Sequence, residues 1–176
     1  MEITDYKDAY ENLKVRFNNL AKEKAHLSTI NLMYKKLNGI VGYKEVIKNL
    51  FEIIMDFYGG LDIKIYYILD NKWNIYDITH NFKEIEAIFD HLVLLSIEKK
   101  NYVYEELTEK TNSFIVQNSK NVYVNVRNYA FPMSDGEIVF AVIKIEKMLI
   151  HNNDLIQELS NFINYSAILL SNQLFN

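Results

Sequence analysis

The sequence contains no cysteine among its 176 residues. A chain without thiols forms no disulfide, holds no metal through thiolate and attaches no chromophore through a thioether bond. Catalysis by a nucleophilic thiol is excluded for the same reason.

Proline and glycine are also scarce, with one proline and five glycines in the chain. The single proline argues against a flexible string of small domains. The glycines fall at predicted helix ends and turns, so none is left for a phosphate-binding loop, and no serine nucleophile elbow is present. Glu105 and Glu106 are adjacent, and neighbours on a strand face opposite sides, so they do not form an acid and base pair. We therefore expect a protein without enzymatic activity.

Long apolar runs and clusters of basic residues are missing as well. The formal net charge is -4 and the basic residues are scattered among acidic ones, so we expect no nucleic-acid partner. Apolar runs such as residues 92–95 are far shorter than the ~20 residues that span a bilayer, and the N-terminus has no apolar signal region. These features predict a cytoplasmic protein without a membrane segment.

The four histidines, His26, His80, His91 and His151, lie far apart in the sequence, and no two of them have the spacing of paired ligands on a helix. We predict no metal site and assign no cofactor.

The N-terminal segment carries apolar residues at heptad spacing. One position of the repeat holds Tyr6, Leu13, Leu20, Leu27 and Tyr34, and the other holds Tyr10, Phe17, Lys24 and Asn31. This pattern predicts a coiled-coil seam of about four heptads. Polar residues at part of one position favour a parallel pair. The alternative is a helix that packs on its own domain.

After Asn38 and Gly39, residues 46–58 form a broad apolar stripe that predicts a second helix, closed by Gly59 and Gly60. Residues 61–69 and 73–78 read as two strands joined by a turn. Residues 81–99 carry apolar side chains at helical spacing, which predicts one helix capped by Asn81. Residues 102–117 are interpreted as a strand, a polar loop and a short second strand.

A strand at Val122, Val124 and Val126 leads into a hairpin whose turn is residues 134–136. On its second strand, alternation sends Val139, Ala141, Ile143 and Ile145 to one face and Ile138, Phe140, Val142 and Lys144 to the other. Both faces are largely apolar, so we predict an inner strand with a covering layer on each side.

The last helix is predicted to begin at Asn152 or Asn153 and to run to the end of the chain without a stop signal.

Residues 129–146, followed by this capped helix, resemble the end of a GAF domain. Residues 42–51 are similar to the first helix of that family, residues 142–145 to its last central strand, and residues 27–34 to the linker helix that commonly precedes it. The resemblance implies an α+β fold with a central antiparallel sheet of about six strands and helices on both faces, preceded by a long N-terminal helix. The nearest alternative is a PAS-like sensor.

The resemblance divides the chain into a dimerisation helix at residues 1–38 and a GAF-like sensor domain at residues 39–176, with its C-terminal helix at 152–175. The Asn-Lys-Phe-Asp-Glu set of the cyclic-nucleotide-binding members has no counterpart here, the nearest segment being residues 81–84. We therefore predict no cyclic nucleotide as ligand. Some members hold haem through an imidazole, which His80 or His91 would have to supply.

The expected function is that of a regulatory module that binds a small molecule and signals through a helical homodimer. Its output would be a histidine kinase, a cyclase or a transcription factor. Aromatic side chains bring polar tips to an apolar wall, so the candidate ligand-binding residues are Tyr66, Trp73, Tyr76, His91, Tyr104 and Tyr129. The candidate dimer-interface residues are Tyr10, Leu13, Phe17, Leu20, Lys24, Leu27, Asn31, Leu159 and Phe162. The alternative is a ligand-free dimerisation spacer in which side chains fill the pocket.

Overall fold

The computed structural model describes residues 2–111, 122–149 and 152–175. The chain divides into two compact units, residues 1–38 and residues 39–176. Among the described residues, no helix is both long enough and apolar enough to cross a membrane.

The first unit is the helix α1 (Glu2–Leu37), which is 36 residues long. Its apolar heptad residues from Tyr6 to Leu27 are exposed to solvent, and Tyr34 is partly buried. Those that are more than half exposed are Tyr6, Tyr10, Leu13, Phe17, Leu20 and Leu27. Lys24 and Asn31 are also exposed. The helix therefore presents the predicted seam as an uncovered apolar stripe.

The second unit is built on one antiparallel sheet of six strands in the order β3-β2-β1-β6-β5-β4. The strands are β1 (Asp62–Leu69), β2 (Lys72–Tyr76), β3 (Lys83–Glu84), β4 (Val103–Thr111), β5 (Val122–Asp135) and β6 (Ile138–Met148). Three helices cover the sheet: α2 (Tyr43–Phe57), α3 (His91–Lys99) and α4 (Asn153–Phe175). The prediction of a six-stranded α+β fold is confirmed.

Strand β6 lies between β1 and β5 and is buried from Val139 to Ile145. Its two faces meet different helices. Val142 packs with Leu92 and Val93 of α3, whereas Phe140 contacts Phe175 of α4 with ring centroids 5.6 Å apart. The prediction of an inner strand covered on both sides is confirmed.

The predicted alternation along β6 is wrong at its beginning. Val139 packs in the same core cluster as Val142, and Phe140 lies on the opposite side. The cause is a register shift against β5, in which Met133 is opposite Ala141 but Ser134 is opposite Val139. Phe140 is the extra residue of a β-bulge, and a bulge reverses the faces of the residues beyond it.

The predicted helix over residues 81–99 is also wrong in its first half. Asn81 and Phe82 have positive φ angles of 43° and 66°, which an α-helix does not accept, and Lys83 and Glu84 pair with β2. Helix α3 begins only at His91, after the N-cap Asp90. Asn81 is therefore not the cap, and an apolar spacing that fits a helix spans a turn and a short strand here.

The predicted strand pair within residues 102–117 is a single strand in its described part, β4, and residues 112–117 lie outside the described residues. Two predicted local features are confirmed. The turn between β1 and β2 is Asp70-Asn71, both with positive φ as a type I′ turn requires. Asn152 begins α4, since its side-chain oxygen accepts a hydrogen bond from the backbone N–H of Asp154.

We predict that Gly60→Ala destabilises the fold more than Gly136→Ala. Both glycines have positive φ, +136° and +58°, so either alanine is strained. A Cβ on Gly60 would also lie 2.6 Å from Cγ2 of the buried Ile145, whereas a Cβ on Gly136 meets nothing within 4 Å. We expect a loss of about 1 kcal/mol for G136A from the backbone alone and about 2–4 kcal/mol for G60A. Urea denaturation of the two variants measures the difference, and equal losses would contradict the assigned clash.

Candidate functional site

The six residues predicted to bind a ligand do not meet in one place. Tyr66 and Trp73 lie on the α3 face of the sheet, each with its ring against Phe89 at 5.4 and 4.8 Å between centroids. Tyr76 lies on the opposite face and contacts Phe51 of α2 at 5.4 Å. His91 is exposed at the first position of α3. The remaining pair, Tyr104 and Tyr129, are neighbours on β4 and β5.

A network of ion pairs lies on the α3 face beside Tyr66. Lys144, only 9% exposed, places its Nζ 2.7 Å from Oδ2 of Asp90 and 2.8 Å from Oε1 of Glu146. Glu146 also binds Lys64, whose Nζ is 2.7 Å from Asp62. The two lysines are directly opposite each other on β6 and β1. The rings of Tyr66, Trp73 and Phe89 lie on the same face.

Asp90 connects this network to α3. Its Oδ1 accepts hydrogen bonds from the backbone N–H groups of Leu92 and Val93, at 3.0 and 3.1 Å, while Oδ2 binds Lys144. Burial on its own raises the pKa of Asp90, but the hydrogen bonds from Lys144 and the helix amides outweigh it and hold the pKa below its usual value. One carboxylate therefore both caps the helix and ties it to the central strand.

A layer of four aromatic rings lies beside β4 and β5, at the opposite edge of the sheet from β3. Tyr129 and Phe131 of β5 are buried and stack at 5.7 Å with 19° between their planes. Tyr104 lies over Tyr129 at 5.6 Å and Tyr102 over Phe131 at 5.6 Å, tilted by 38° and 31°. Tyr102 and Tyr104 form the outer half of this layer, and we call them the tyrosine platform.

The tyrosine platform opens into a cleft of about 900 Å³ between the end of α3, the start of β4 and α4. The side chains that line it are mostly polar and carry amide or hydroxyl groups. The lining residues are Leu95, Lys99, Asn101, Tyr102, Val103, Tyr104, Gln157, Ser160 and Asn164. None of these is acidic, although acidic residues outnumber basic ones in the chain, 23 to 19.

A small inner chamber of about 60 Å³ continues from the cleft. Four residues line both spaces: Asn101, Tyr102, Ser160 and Asn164. Phe131, Pro132 and Ile163 add apolar wall to the chamber, and Lys100 and Ser134 add polar groups. Because a water molecule occupies about 30 Å³ in the liquid, the chamber has room for about two waters or for one small substituent of a ligand.

Arg127 holds the outer end of the platform. Its guanidinium carbon is 4.6 Å from the centroid of the Tyr104 ring, a cation–π contact. The same guanidinium donates to Glu106 at 3.3 Å and to the hydroxyl of Tyr129 at 3.5 Å, while its Nε has no partner among the described residues. The hydrogen bond to Tyr129 raises the pKa of Arg127, so the side chain is charged at every physiological pH.

Of the six predicted ligand-binding residues, only Tyr104 lines the cleft. The sequence reasoning missed the amide and hydroxyl groups from α4. The signal that was available is the spacing of the polar residues Gln157, Ser160 and Asn164 along α4, since positions three, four and seven apart share one face. Asn101 and Tyr102 carry no such periodic signal, because they lie in the turn between α3 and β4.

Two of the predicted dimer-interface residues belong to α4. Leu159 and Phe162 are at most 1% exposed and lie in the core of the second unit, so they offer no surface to a second chain. Asp77 is buried and accepts hydrogen bonds from the backbone N–H groups of Thr79 and His80, with the His80 ring 2.7 Å from its other oxygen. This pair closes a turn. Within the described ranges no three histidine, aspartate or glutamate residues are grouped so that they could hold a metal ion.

Comparison with known proteins identifies the fold. The structure superimposes on the A. Aeolicus nlh2 GAF domain in an inactive state with a TM-score of 0.52 and 18% identity, over 84% of this chain and 93% of that one. It superimposes on the GAF domain of an Acinetobacter phosphoenolpyruvate-protein phosphotransferase with a TM-score of 0.55 and 14% identity, over 86% and 97%. The GAF domain of a two-component sensor histidine kinase from Bacillus halodurans gives 0.52 and 10%, over 76% and 96%.

At these identities the likeness shows the fold alone. No family model matches the sequence, and no curated protein matches it. The chain therefore has a GAF-like fold, as the resemblance in its sequence implied.

We predict that the stability contributed by Asp90 disappears in acid. Because the pKa of Asp90 is lowered in the folded protein, its contribution is present above the unfolded value of about 3.9 and is lost as the pH falls through the folded value. Asp90→Asn keeps a good cap and loses the charge, so at pH 7 we expect a cost below about 1 kcal/mol. Asp90→Ala also loses the cap, which costs about 1 kcal/mol more.

Urea denaturation at pH 7, 5 and 3 measures both variants, and the D90N penalty should shrink towards zero at pH 3. Glu137→Gln is the matched control, since Glu137 is paired with Lys100 but its side chain is 92% exposed. We expect no measurable change for this control. A D90N penalty that is as large at pH 3 as at pH 7 would contradict the assigned role of the charge.

Proposed function

We propose that this chain is a regulatory sensor module of a signal-transduction protein, which forms a homodimer through α1 and binds a small molecule in the cleft beside α4. The observation that carries the proposal is the uncovered heptad seam of α1, combined with a GAF-like fold in the second unit. The module itself is not an enzyme in this proposal. Any catalytic activity belongs to an output domain or partner, such as a histidine kinase, a cyclase or a transcription factor.

The seam supports a dimer because its apolar side chains have nothing to pack against on α1 itself. Tyr10, Leu13, Phe17, Leu20 and Leu27 are between 53% and 70% exposed. Burying one large apolar side chain completely contributes about 1.5–3 kcal/mol, and an isolated helix gains little stability from propensity alone. A second copy supplies the same residues at the same spacing. Lys24 and Asn31 interrupt the seam, a pattern that fixes register and keeps the oligomer small.

The cleft supports ligand binding because its size and its lining suit a small molecule. About 900 Å³ lies within the range of ligand pockets, and convergent amide and hydroxyl groups beside aromatic rings are what orientation of a ligand requires. Three of its lining residues belong to α4, so a ligand there contacts a helix that runs 23 residues from Asn153 to Phe175. A ligand that prefers one arrangement of this helix shifts the population by its differential affinity and by no more.

The names of two solved structures agree with a signalling role. One structure is the GAF domain of a two-component sensor histidine kinase and another that of a phosphoenolpyruvate-protein phosphotransferase. In both proteins the GAF domain is one part of a larger protein that carries out phosphotransfer. We propose the same arrangement for this chain, with the output domain in the same polypeptide or in a partner.

The second candidate function is a ligand-free dimerisation spacer, and one observation favours it. On the α3 face, the rings of Tyr66, Trp73 and Phe89 and the ion pairs of Lys144 occupy space that a ligand would otherwise take. In a spacer the cleft beside α4 would be an empty surface feature. The similar structures reported above are GAF domains, which favours a GAF-like sensor over a PAS-like one.

Native mass spectrometry of the protein purified from its source distinguishes sensor from spacer. We expect a small molecule to be retained, released on denaturation and present at one copy per chain. Asn164→Asp places a negative charge in the cleft and should reduce the occupancy, while Asn74→Asp on β2, across the sheet, should not. Repeated absence of any retained molecule from wild-type protein would favour the spacer.

We predict that Leu20→Glu abolishes the dimer. The substitution places a carboxylate in the centre of the seam, where it would meet its counterpart on the second helix in a dry interface. Sedimentation equilibrium over a hundredfold range of concentration should show a dimer for the wild type and a monomer for L20E. Lys22→Glu is the matched control, because it introduces the same carboxylate on the same helix outside the seam. A monomeric wild type, or a K22E variant as monomeric as L20E, would contradict this interface.

A further inference from the structure

The tyrosine platform offers a surface of unusual chemistry at the mouth of the cleft. The rings of Tyr102 and Tyr104 are backed by Phe131 and Tyr129 at 5.6 Å, and the backing rings are themselves stacked. Arg127 fixes the Tyr104 ring from the side of β5. Yet Tyr104 is 51% exposed. An aromatic ring that is held in place and open to solvent is suited to stacking against a flat partner.

Polar groups without protein partners face the same space. Among the described residues, Ser160 and Asn164 make no side-chain hydrogen bond, and Lys99 forms no ion pair. Asn101 uses its Oδ1 for the backbone N–H of Tyr102, which leaves its amide N–H₂ unused. Gln157 donates to Asn161 and keeps its own carbonyl oxygen. The cleft therefore presents donors from Asn101 and Lys99 and both donors and acceptors from Asn164 and Ser160.

These two observations define the shape of the ligand that fits. A flat apolar face is required for the platform, and an edge of hydrogen-bonding groups is required for the amides and hydroxyls of α4. The absence of acidic residues from the lining means that a negatively charged substituent is tolerated, with Lys99 as its nearest cation in the cleft. A linear dicarboxylate or a free phosphate has no apolar face and leaves the platform unused.

We infer that the cleft binds a small polar ring compound, which stacks on Tyr102 and Tyr104 and hydrogen-bonds through its edge to Asn101, Ser160 and Asn164. Two sources have this chemistry: a nucleoside, whose base is planar, and a sugar, whose ring has an apolar C–H face. The inference rests on the proposed sensor function, and it adds the class of ligand and the residues that recognise it. The chamber beneath the cleft, about 60 Å³, receives one small substituent of the ring.

The test uses the full chain with four probes: adenosine, glucose, succinate and inorganic phosphate. Ligand-detected saturation-transfer NMR reports which probes bind, and titration followed by backbone amide shifts gives the dissociation constant and the binding surface. We expect adenosine or glucose to bind and to shift the amides of residues 99–104 and 157–164. Adenosine alone identifies a base as the stacking partner, and glucose alone identifies a sugar.

Variants connect the binding to the platform. Base stacking on an aromatic side chain typically contributes about 1–3 kcal/mol by alanine substitution, so Tyr104→Ala should weaken binding by about tenfold or more. Tyr104→Phe keeps the ring and should bind within about twofold of the wild type. Asn164→Ala should weaken binding several-fold, whereas Asn74→Ala should have no effect, since Asn74 lies on β2 and bonds to Lys72. Circular dichroism and thermal melting establish that each variant is folded.

Three results would overturn the inference. The first is that neither ring compound binds below about 10 mM. The second is that succinate or phosphate binds and the rings do not. The third is that Y104A, or N164A if Y104A does not fold, binds as well as the wild type. A co-purified molecule of another class would overturn this inference and leave the sensor function standing, whereas the sensor function fails if nothing is retained at all.

Discussion

The burial of β6 on both faces is the constraint on which the second unit depends. Seven consecutive residues of this strand, Val139 to Ile145, are buried, so the sheet requires a covering layer on each side. Helix α3 supplies one layer, and α2 and α4 supply the other. Because β6 lies between β1 and β5, the same strand also supplies backbone hydrogen bonds to both halves of the sheet. The strand β5, which positions β4 and the cleft, is itself held by its pairing with this strand.

Strand β6 contains two irregularities, one near each of its ends. The bulge at Phe140 turns that ring towards α4 and turns Val139 towards α3. A second shift lies near Lys147, which has a positive φ of 56° and donates its N–H to Oδ1 of Asn128. Bulges bend a strand and increase its twist, and they are frequent beside functional sites. Between them, Lys144 is held on the α3 face, where it binds the cap of that helix.

Much of this fold was predictable from local signals. The apolar faces of β6, the type I′ turn at Asp70-Asn71 and the cap at Asn152 each depend on a few adjacent residues whose chemistry decides the outcome. The predicted helix over residues 81–99 failed because Phe82, Ile85 and Ile88 have helical spacing, and the chain nevertheless turns at Asn81 and Phe82. Phe82 gains ring contacts with Tyr43, Tyr67 and Tyr76 there, and such tertiary contacts leave no periodic trace in the sequence.

The candidate site was predictable only in part, for a related reason. Tyr104 was identified because it is an aromatic residue on a strand, but Tyr102, Asn101 and Asn164 come from a turn and a helix that are distant in sequence. Their meeting depends on the packing of α4 across β5 and on the register that places Tyr104 opposite Tyr129. The faces on which the six predicted residues lie follow from the strand registers and the start of α3, which the residue types alone do not give.

The contrast between the α3 face of the sheet and the cleft beside α4 bears on the choice between sensor and spacer. On the α3 face, two lysines bind three carboxylates, and the rings of Tyr66, Trp73 and Phe89 lie on the same face. A ligand that bound there through Asp90 or Lys144 would have to break the ion pair between them. In the cleft beside α4, the tyrosine platform and the amide groups face an open space of about 900 Å³. Binding costs less reorganisation energy where the binding groups are preorganised, so the open cleft is the stronger candidate for a ligand site.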